Sequence, residues 1–351
     1  MRLSWFAATL MLLSPAVMAQ TPMVDERGTV IADHVEVPPS EFLSAEARAR
    51  LVARIRARPA GAVDIAAIRA GTTAFAAQVA AQWQAISPAT VREETIGGVR
   101  ADVVEPAAGI DPANRRRVIV ALHGGGFFTG GGTGSADAIP VAIRGKVRVI
   151  AVDYRLAPEA RFPAASHDVE AVYRALLKSY RPADIGLYGC SAGGALVAQS
   201  MAWFQSRRLP LPGAIGLFCA GAMPGLWDGG DSGAVAPAMN GRPPTTPAQR
   251  GEGVFNAYLA GTDPADPLVA PALSPAILAR FPPTLLISGT RDVALSNVLV
   301  TNARLLAAGV ETQLFVQEGM GHGDFGIAPG TAEATQAYDV IWRWFDRHLG
   351  R

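Results

Sequence analysis

The apolar positions come in two patterns. Val118-Ile119-Val120-Ala121-Leu122 is an unbroken apolar run, the mark of a strand buried on both faces. Similar short runs predict strands over 99–104, 147–152, 185–188, 215–219, 284–288 and 311–317. Between them the apolar residues recur at helical spacing. That spacing predicts helices over 167–177, 192–205, 297–308 and 332–348. Alternating strands and helices predict an α/β fold, a mostly parallel central sheet with helices on both faces. The first 90 residues follow a different rule. They are Ala-rich and strand-poor, with helical patterns over 41–58 and 63–84 broken at Pro59-Ala60-Gly61.

This organisation divides the chain into a leader over 1–19, a lead and helical segment over 20–90, and an α/β domain over 91–351. Residues 222–282 are rich in Gly, Pro and Ala and interrupt the rhythm, as a lid or cap insertion would. The leader has an early positive charge at Arg2 and an uncharged, largely apolar stretch from Leu3 to Leu13. Ser14-Pro15 breaks it, and small residues precede Gln20. This pattern predicts an export signal cut near Ala19-Gln20 and a periplasmic or secreted protein. The stretch is too short for a stable membrane span.

Composition narrows the chemistry. Half of the 351 residues are hydrophobic, 17% are charged and the net charge is +1. That balance argues against a nucleic-acid partner, which calls for a concentrated basic surface. The arginines between Arg48 and Arg58 alternate with apolar residues, as on the wet face of an amphipathic helix. Two cysteines, Cys190 and Cys219, are too few for a zinc site, and no metal or cofactor is expected. A bridge between them is chemically permitted in an exported chain.

Two glycine motifs carry the candidate chemistry. Gly189-Cys190-Ser191-Ala192-Gly193 lies between a predicted strand and a predicted helix, the context of a strained turn that exposes a nucleophilic serine. His123-Gly124-Gly125-Gly126 follows the buried strand over 118–122. Its bare backbone N–H groups suit an oxyanion. A phosphate cradle is the rival reading, but the Gly-Lys-Ser/Thr ending is missing. A serine needs a base and the base needs an orienter. Of the five histidines, His322 stands in a loop just after the strand over 311–317. His34 lies in the loose lead, His123 in the glycine loop, His167 at a helix start and His348 near the end of the chain. Asp292 directly follows the strand over 284–288. Asp324 stands only two residues from His322, close for an orienter. The expected constellation is therefore Ser191, Asp292 and His322, in that chain order. Cys190 as a thiol nucleophile is the weaker alternative, because the elbow presents Ser191.

From about residue 95 onward the chain resembles the hormone-sensitive-lipase-like branch of the α/β-hydrolase esterases. The resemblance rests on His123–Gly126, Asp153-Tyr154-Arg155-Leu156-Ala157-Pro158-Glu159 with Phe162-Pro163-Ala164 and Asp168, Gly189–Gly194, Phe281–Thr284 before Asp292, and His322. It implies an α/β-hydrolase fold with a mainly helical cap, to which the two N-terminal helices contribute. It implies oxyanion-hole N–H groups at Gly124, Gly125 and Ala192, and a structural role for the Tyr154–Glu159 run. The implied reaction is hydrolysis of short to medium acyl esters or lactones. Its partners are a small-molecule ester and water. A peptidase or amidase of the same fold and a non-catalytic binding protein on it are the alternatives. Three positions depart from the family pattern: Cys190, Val293, and Asp324 between Gly323 and Phe325.

Overall fold

The structure is a computed structural model. It describes residues 23–24, 26, 30–31, 36–57, 64–225, 230–242 and 257–350. The expected leader, the cut near Ala19-Gln20 and His34 lie outside the described residues. The described residues up to Pro38 form one unit, in which β1 (Met23–Val24) pairs antiparallel with β2 (Val30–Ile31). The second unit begins at Pro39 and holds the rest. The compositional change near residue 90 coincides with no break in packing.

In the second unit eight strands form one sheet. They are β3 (Ala89–Ile96), β4 (Val99–Pro106), β5 (Val118–Leu122), β6 (Arg148–Val152), β7 (Ile185–Cys190), β8 (Ala214–Phe218), β9 (Thr284–Arg291) and β10 (Thr312–Gly321). Their order is β10-β9-β8-β7-β5-β6-β4-β3. Neighbours from β10 to β6 run parallel, while β4 is antiparallel to both β6 and β3.

Among the described residues the α-helices are α1 (Ala45–Arg56), α2 (Ile65–Ile86), α3 (Gly134–Gly145), α4 (Ala164–Leu176), α5 (Ala192–Ser206), α6 (Asp231–Met239), α7 (Pro275–Leu278), α8 (Leu295–Ala307) and α9 (Ala332–His348). Strand side chains alternate between two cores. Val118, Val120 and Leu122 of β5 join residues of α4, α5 and α8. Ile119 and Ala121 join residues of α1, α2, α3 and α9. Full burial of one such aliphatic side chain contributes about 1.5–3 kcal/mol. Helices α1 and α2 thus share a core with the sheet, through Leu51, Val79 and Trp83.

Among the elements that escape the sequence reading, β3 and α3 do so for a plain physical reason. β3 is an edge strand whose inner residues are exposed and often charged, so no apolar alternation marks it. Charges on an edge also oppose stray pairing. Its turn to β4 is Gly97-Gly98 with both φ positive, a turn type that glycine favours. Helix α3 carries Pro140 in its interior and follows a glycine-rich loop, two features that argue against a helix.

The strand order reverses around β5: the chain moves to β6 on one side and returns through α4 to β7 on the other. Crevices form at such a switch point, at the carboxyl ends of the strands. The His123 loop leaves β5 there and Ser191 leaves β7 there.

Candidate active site

Ser191 sits between β7 and α5 with φ 58° and ψ −125°. A non-glycine residue in such a conformation carries about 1–3 kcal/mol of strain. Its surroundings hold it there. The Ser191 N–H donates to the Phe218 carbonyl at 2.8 Å. A side chain at Gly193 would strike the Leu122 and His123 carbonyls, and one at Gly189 would meet Gly193 and the Leu122 carbonyl. The flanking glycines are therefore required by close approach of the β5 backbone.

A hydrogen-bonded relay runs from the hydroxyl. Ser191 Oγ lies 2.8 Å from His322 Nε2, and His322 Nδ1 lies 2.7 Å from Asp292 Oδ1. Asp292 is wholly buried. It also accepts from the Ala294 N–H at 2.9 Å and from the Ser288 hydroxyl at 2.8 Å. Burial pushes its carboxyl up. The His322 charge and these hydrogen bonds outweigh burial and leave it below the ordinary carboxylate value. Burial pushes the His322 imidazole down. The Asp292 charge and hydrogen bond more than reverse this and raise it above its usual value. With its Nδ1–H on Asp292, the neutral ring presents the Nε2 lone pair to Ser191.

The glycine loop faces the same point. A side chain at Gly124 would touch the Cys190 carbonyl at 3.1 Å and Ser191 Cβ at 3.4 Å, so this loop packs directly on the elbow. Gly125 and Gly126 have φ of 112° and 61°. Among the described residues the N–H groups of Gly124, Gly125 and Ala192 donate no hydrogen bond. Ala192 opens α5, whose first turn adds the positive end of the helix dipole.

His123 is a strut of this loop. It is 1% exposed, its ring stacks on Tyr154 at 4.2 Å, and Nδ1 bonds the Gly124 carbonyl at 2.7 Å. Burial lowers its pKa, so the ring is neutral. The Tyr154 hydroxyl donates to the His123 carbonyl at 2.6 Å. Further along the same run, Arg155 pairs with Asp168, and Arg69 of α2 bonds both Glu159 and the Ala157 carbonyl. The Tyr154–Glu159 run thus ties the loop to α2 and α4.

The His322 loop is held by side chains that the sequence reading did not assign. Asp324 does not reach the His322 ring. It accepts from the Gly321 N–H at 2.7 Å and pairs with Arg54 of α1 at 2.7 Å. Burial raises its pKa despite Arg54. Arg54 also donates to Asn240 at 3.2 Å. Cys219 Sγ accepts from the Gly323 N–H at 3.1 Å. Cys190 and Cys219 are free thiols. Hydrogen bonding with Cys190, then burial, raises the Cys219 thiol far above its ordinary value, so it stays protonated. Cys219, Asp292 and His322 bring one potential ligand atom each within 4.8 Å of one another. Each of those atoms already has a protein partner, so the grouping belongs to the relay.

The other histidines stand apart: His167 meets Trp203 edge-on, and His348 bonds the Trp344 carbonyl and Glu311.

A cavity of about 340 Å³ opens on Ser191 and His322. Thr72, Phe75, Ala76 and Val79 of α2 form one wall, with Tyr188, Phe218, Phe325 and Tyr338 among the residues opposite. None of the described residues between 222 and 282 lines it.

Comparison with known proteins agrees with this geometry. A family described by the alpha/beta hydrolase fold matches residues 119–325. An acetyl-hydrolase of Streptomyces hygroscopicus is 30% identical over 259 residues, covering 72% of this chain and 75% of its own. An ethyl acetate hydrolase of Pseudomonas putida is 27% identical over 244 residues, covering 68% and 76%. Among solved structures, an esterase superposes with a TM-score of 0.76 at 29% identity, covering 91% of this chain and 98% of its own. An esterase from the bacterial hormone-sensitive lipase family superposes with a TM-score of 0.73 at 28% identity, covering 88% and 99%.

Proposed function

The chain belongs to the alpha/beta hydrolase fold family, as a carboxylesterase-type hydrolase of the hormone-sensitive-lipase-like branch, and we propose that it cleaves short to medium acyl esters or lactones through Ser191, His322 and Asp292. The observation that carries this reading is the unbroken relay from Ser191 Oγ to buried Asp292 at the end of an apolar cavity.

Ser191 Oγ attacks the ester carbonyl carbon while its proton passes to His322 Nε2. Asp292 stabilises the imidazolium and keeps the ring oriented. The N–H groups of Gly124, Gly125 and Ala192 receive the oxyanion, a role that typically supplies about 2.7–4 kcal/mol per donor. The intermediate collapses, the C–O bond to the alcohol breaks, and the alcohol takes the proton from His322. Water then attacks the acyl carbon while His322 takes its proton; His322 returns that proton to Ser191 Oγ as the acyl–Ser191 bond breaks and the carboxylic acid leaves.

The acyl preference is supported by the cavity volume, which lies at the small end of the range for ligand pockets, about 300–1,000 Å³. The acetyl-hydrolase and ethyl acetate hydrolase relatives point the same way. The test is a p-nitrophenyl ester series from C2 to C12 with wild type and Ser191→Ala. Turnover by wild type is expected to peak at C8 or below. Ser191→Ala is expected to lose about 10⁶-fold in kcat with its circular dichroism unchanged. A rate rising steadily past C10 contradicts the acyl preference, and an active Ser191→Ala contradicts the nucleophile. Export with cleavage near Ala19-Gln20 belongs to the same proposal, supported by the leader pattern. An N-terminal sequence still beginning at Met1 in the exported protein contradicts it.

A further inference from the structure

The cavity carries one group that the hydrolytic relay does not use. Asp137, in the first turn of α3, lines it together with Tyr188 and Tyr338. The Asp137 main-chain carbonyl accepts from the Tyr188 hydroxyl at 2.7 Å. Its carboxylate makes no hydrogen bond or ion pair among the described residues. No lysine or arginine lines the cavity among those residues, and Phe75, Val79, Phe128, Phe218, Phe325 and Ile327 make much of its wall. Burial alone raises the Asp137 carboxyl to about 6. The phenols of Tyr188 and Tyr338 are raised by their own burial first; the charge of Asp137 adds to this next at Tyr338, and after the Tyr338 phenol at Tyr188.

A carboxylate against an apolar wall is costly unless a counter-charge meets it. The N-terminus of α3 supplies only part of one. A cation in the cavity would complete the pairing, and the surrounding aromatic faces attract organic cations further. A hydrocarbon chain in the same place would leave the carboxylate unpaired and take away its water.

We propose that Asp137 is the specificity-determining residue of this cavity and selects esters in which one half carries an organic ammonium group. The ammonium is seated between the Asp137 carboxylate and the aromatic wall while the ester carbonyl reaches Ser191. This rests on the serine-esterase reading above.

Two isosteric pairs test it and separate the two halves of the ester. For the acyl half, p-nitrophenyl 4-(trimethylammonio)butyrate is compared with p-nitrophenyl 5,5-dimethylhexanoate. For the alcohol half, choline butyrate is compared with 3,3-dimethylbutyl butyrate. In wild type one ammonium ester is expected to exceed its neutral partner in kcat/KM by about tenfold or more. Asp137→Asn is expected to bring that ratio below about twofold, a change in ratio that loss of a merely structural carboxylate does not produce. Ratios near one in both wild-type pairs overturn the proposal without recourse to any variant. A preference that survives in Asp137→Asn also overturns it. If wild type cleaves none of the four esters, the esterase reading fails as well, an outcome distinct from cleavage without preference.

Discussion

The two halves of the site are built by different means. The half that holds Ser191 and the glycine loop is made by backbone. Gly193 lets β5 and β7 approach until a single Cβ would collide, Gly124 lets its loop pack tightly on the elbow, and Ser191 holds its strained φ between them. The half that holds His322 and Asp292 is made by side chains. Asp292 accepts three hydrogen bonds, and the His322 loop is pinned by Asp324, by Arg54 of α1 and by the Cys219 thiol. Backbone-built geometry leaves a compact motif. Side-chain-built geometry is spread over the whole chain.

The strongest way to break this comparison is at the centre of the second half. Asp292→Asn keeps the shape but removes the charge that orients and stabilises the imidazolium. It is expected to lower kcat about 10⁴-fold, with little change in KM. A loss under tenfold would mean that another group orients His322. The matching change in the first half is Gly193→Ala. Its methyl meets the Leu122 carbonyl, so the elbow or β5 must shift. The expected cost is about 3 kcal/mol in denaturant unfolding, with activity lost alongside. An undisturbed stability would contradict the backbone account.

Smaller effects sharpen the comparison. Arg54→Ala leaves Asp324 without its cation while touching neither Ser191 nor His322. We expect kcat to fall roughly tenfold, short of the about 10²-fold that a 1 Å misplacement of a reacting group costs. Lysine at position 54 should restore part of it, and an Arg54→Ala enzyme as active as wild type would detach α1 from the site. The mildest probe is pH. Asp292 stabilises protonated His322, so its pKa stands above the usual value. Protonated His322 cannot accept the Ser191 proton. Activity is therefore expected to be full above that raised pKa and to fall as pH drops through it. The acid limb of kcat/KM should lie above about 6.5, the ordinary histidine value. A limb below 6 would contradict the pairing.

The same division explains what was legible in the sequence. Val118–Leu122, the Ser191 elbow and the glycine loop are local patterns, whereas Asp292 and His322 were legible only because each follows the end of a strand. β3 was not legible because an exposed, charged edge strand has no apolar rhythm. α3 was hidden by Pro140 and the glycines before it, although it brings Asp137 to the cavity. Arg54 and Asp324 are 270 residues apart, and nothing in either neighbourhood announces their contact. Cys190 and Cys219 were noticed, but the role of Cys219 as acceptor for the Gly323 N–H follows only from the fold. Ser288 was within reach, since it stands on β9 four residues before Asp292.

The central claim is that Ser191, activated through His322, is the nucleophile. Its most direct test is reaction of the purified protein with a fluorophosphonate probe, followed by intact mass and peptide mapping. The account predicts one adduct per chain, on the peptide containing Ser191, and full loss of ester hydrolysis in step with labelling. An adduct on another residue, or hydrolysis that persists in fully labelled protein, would contradict it.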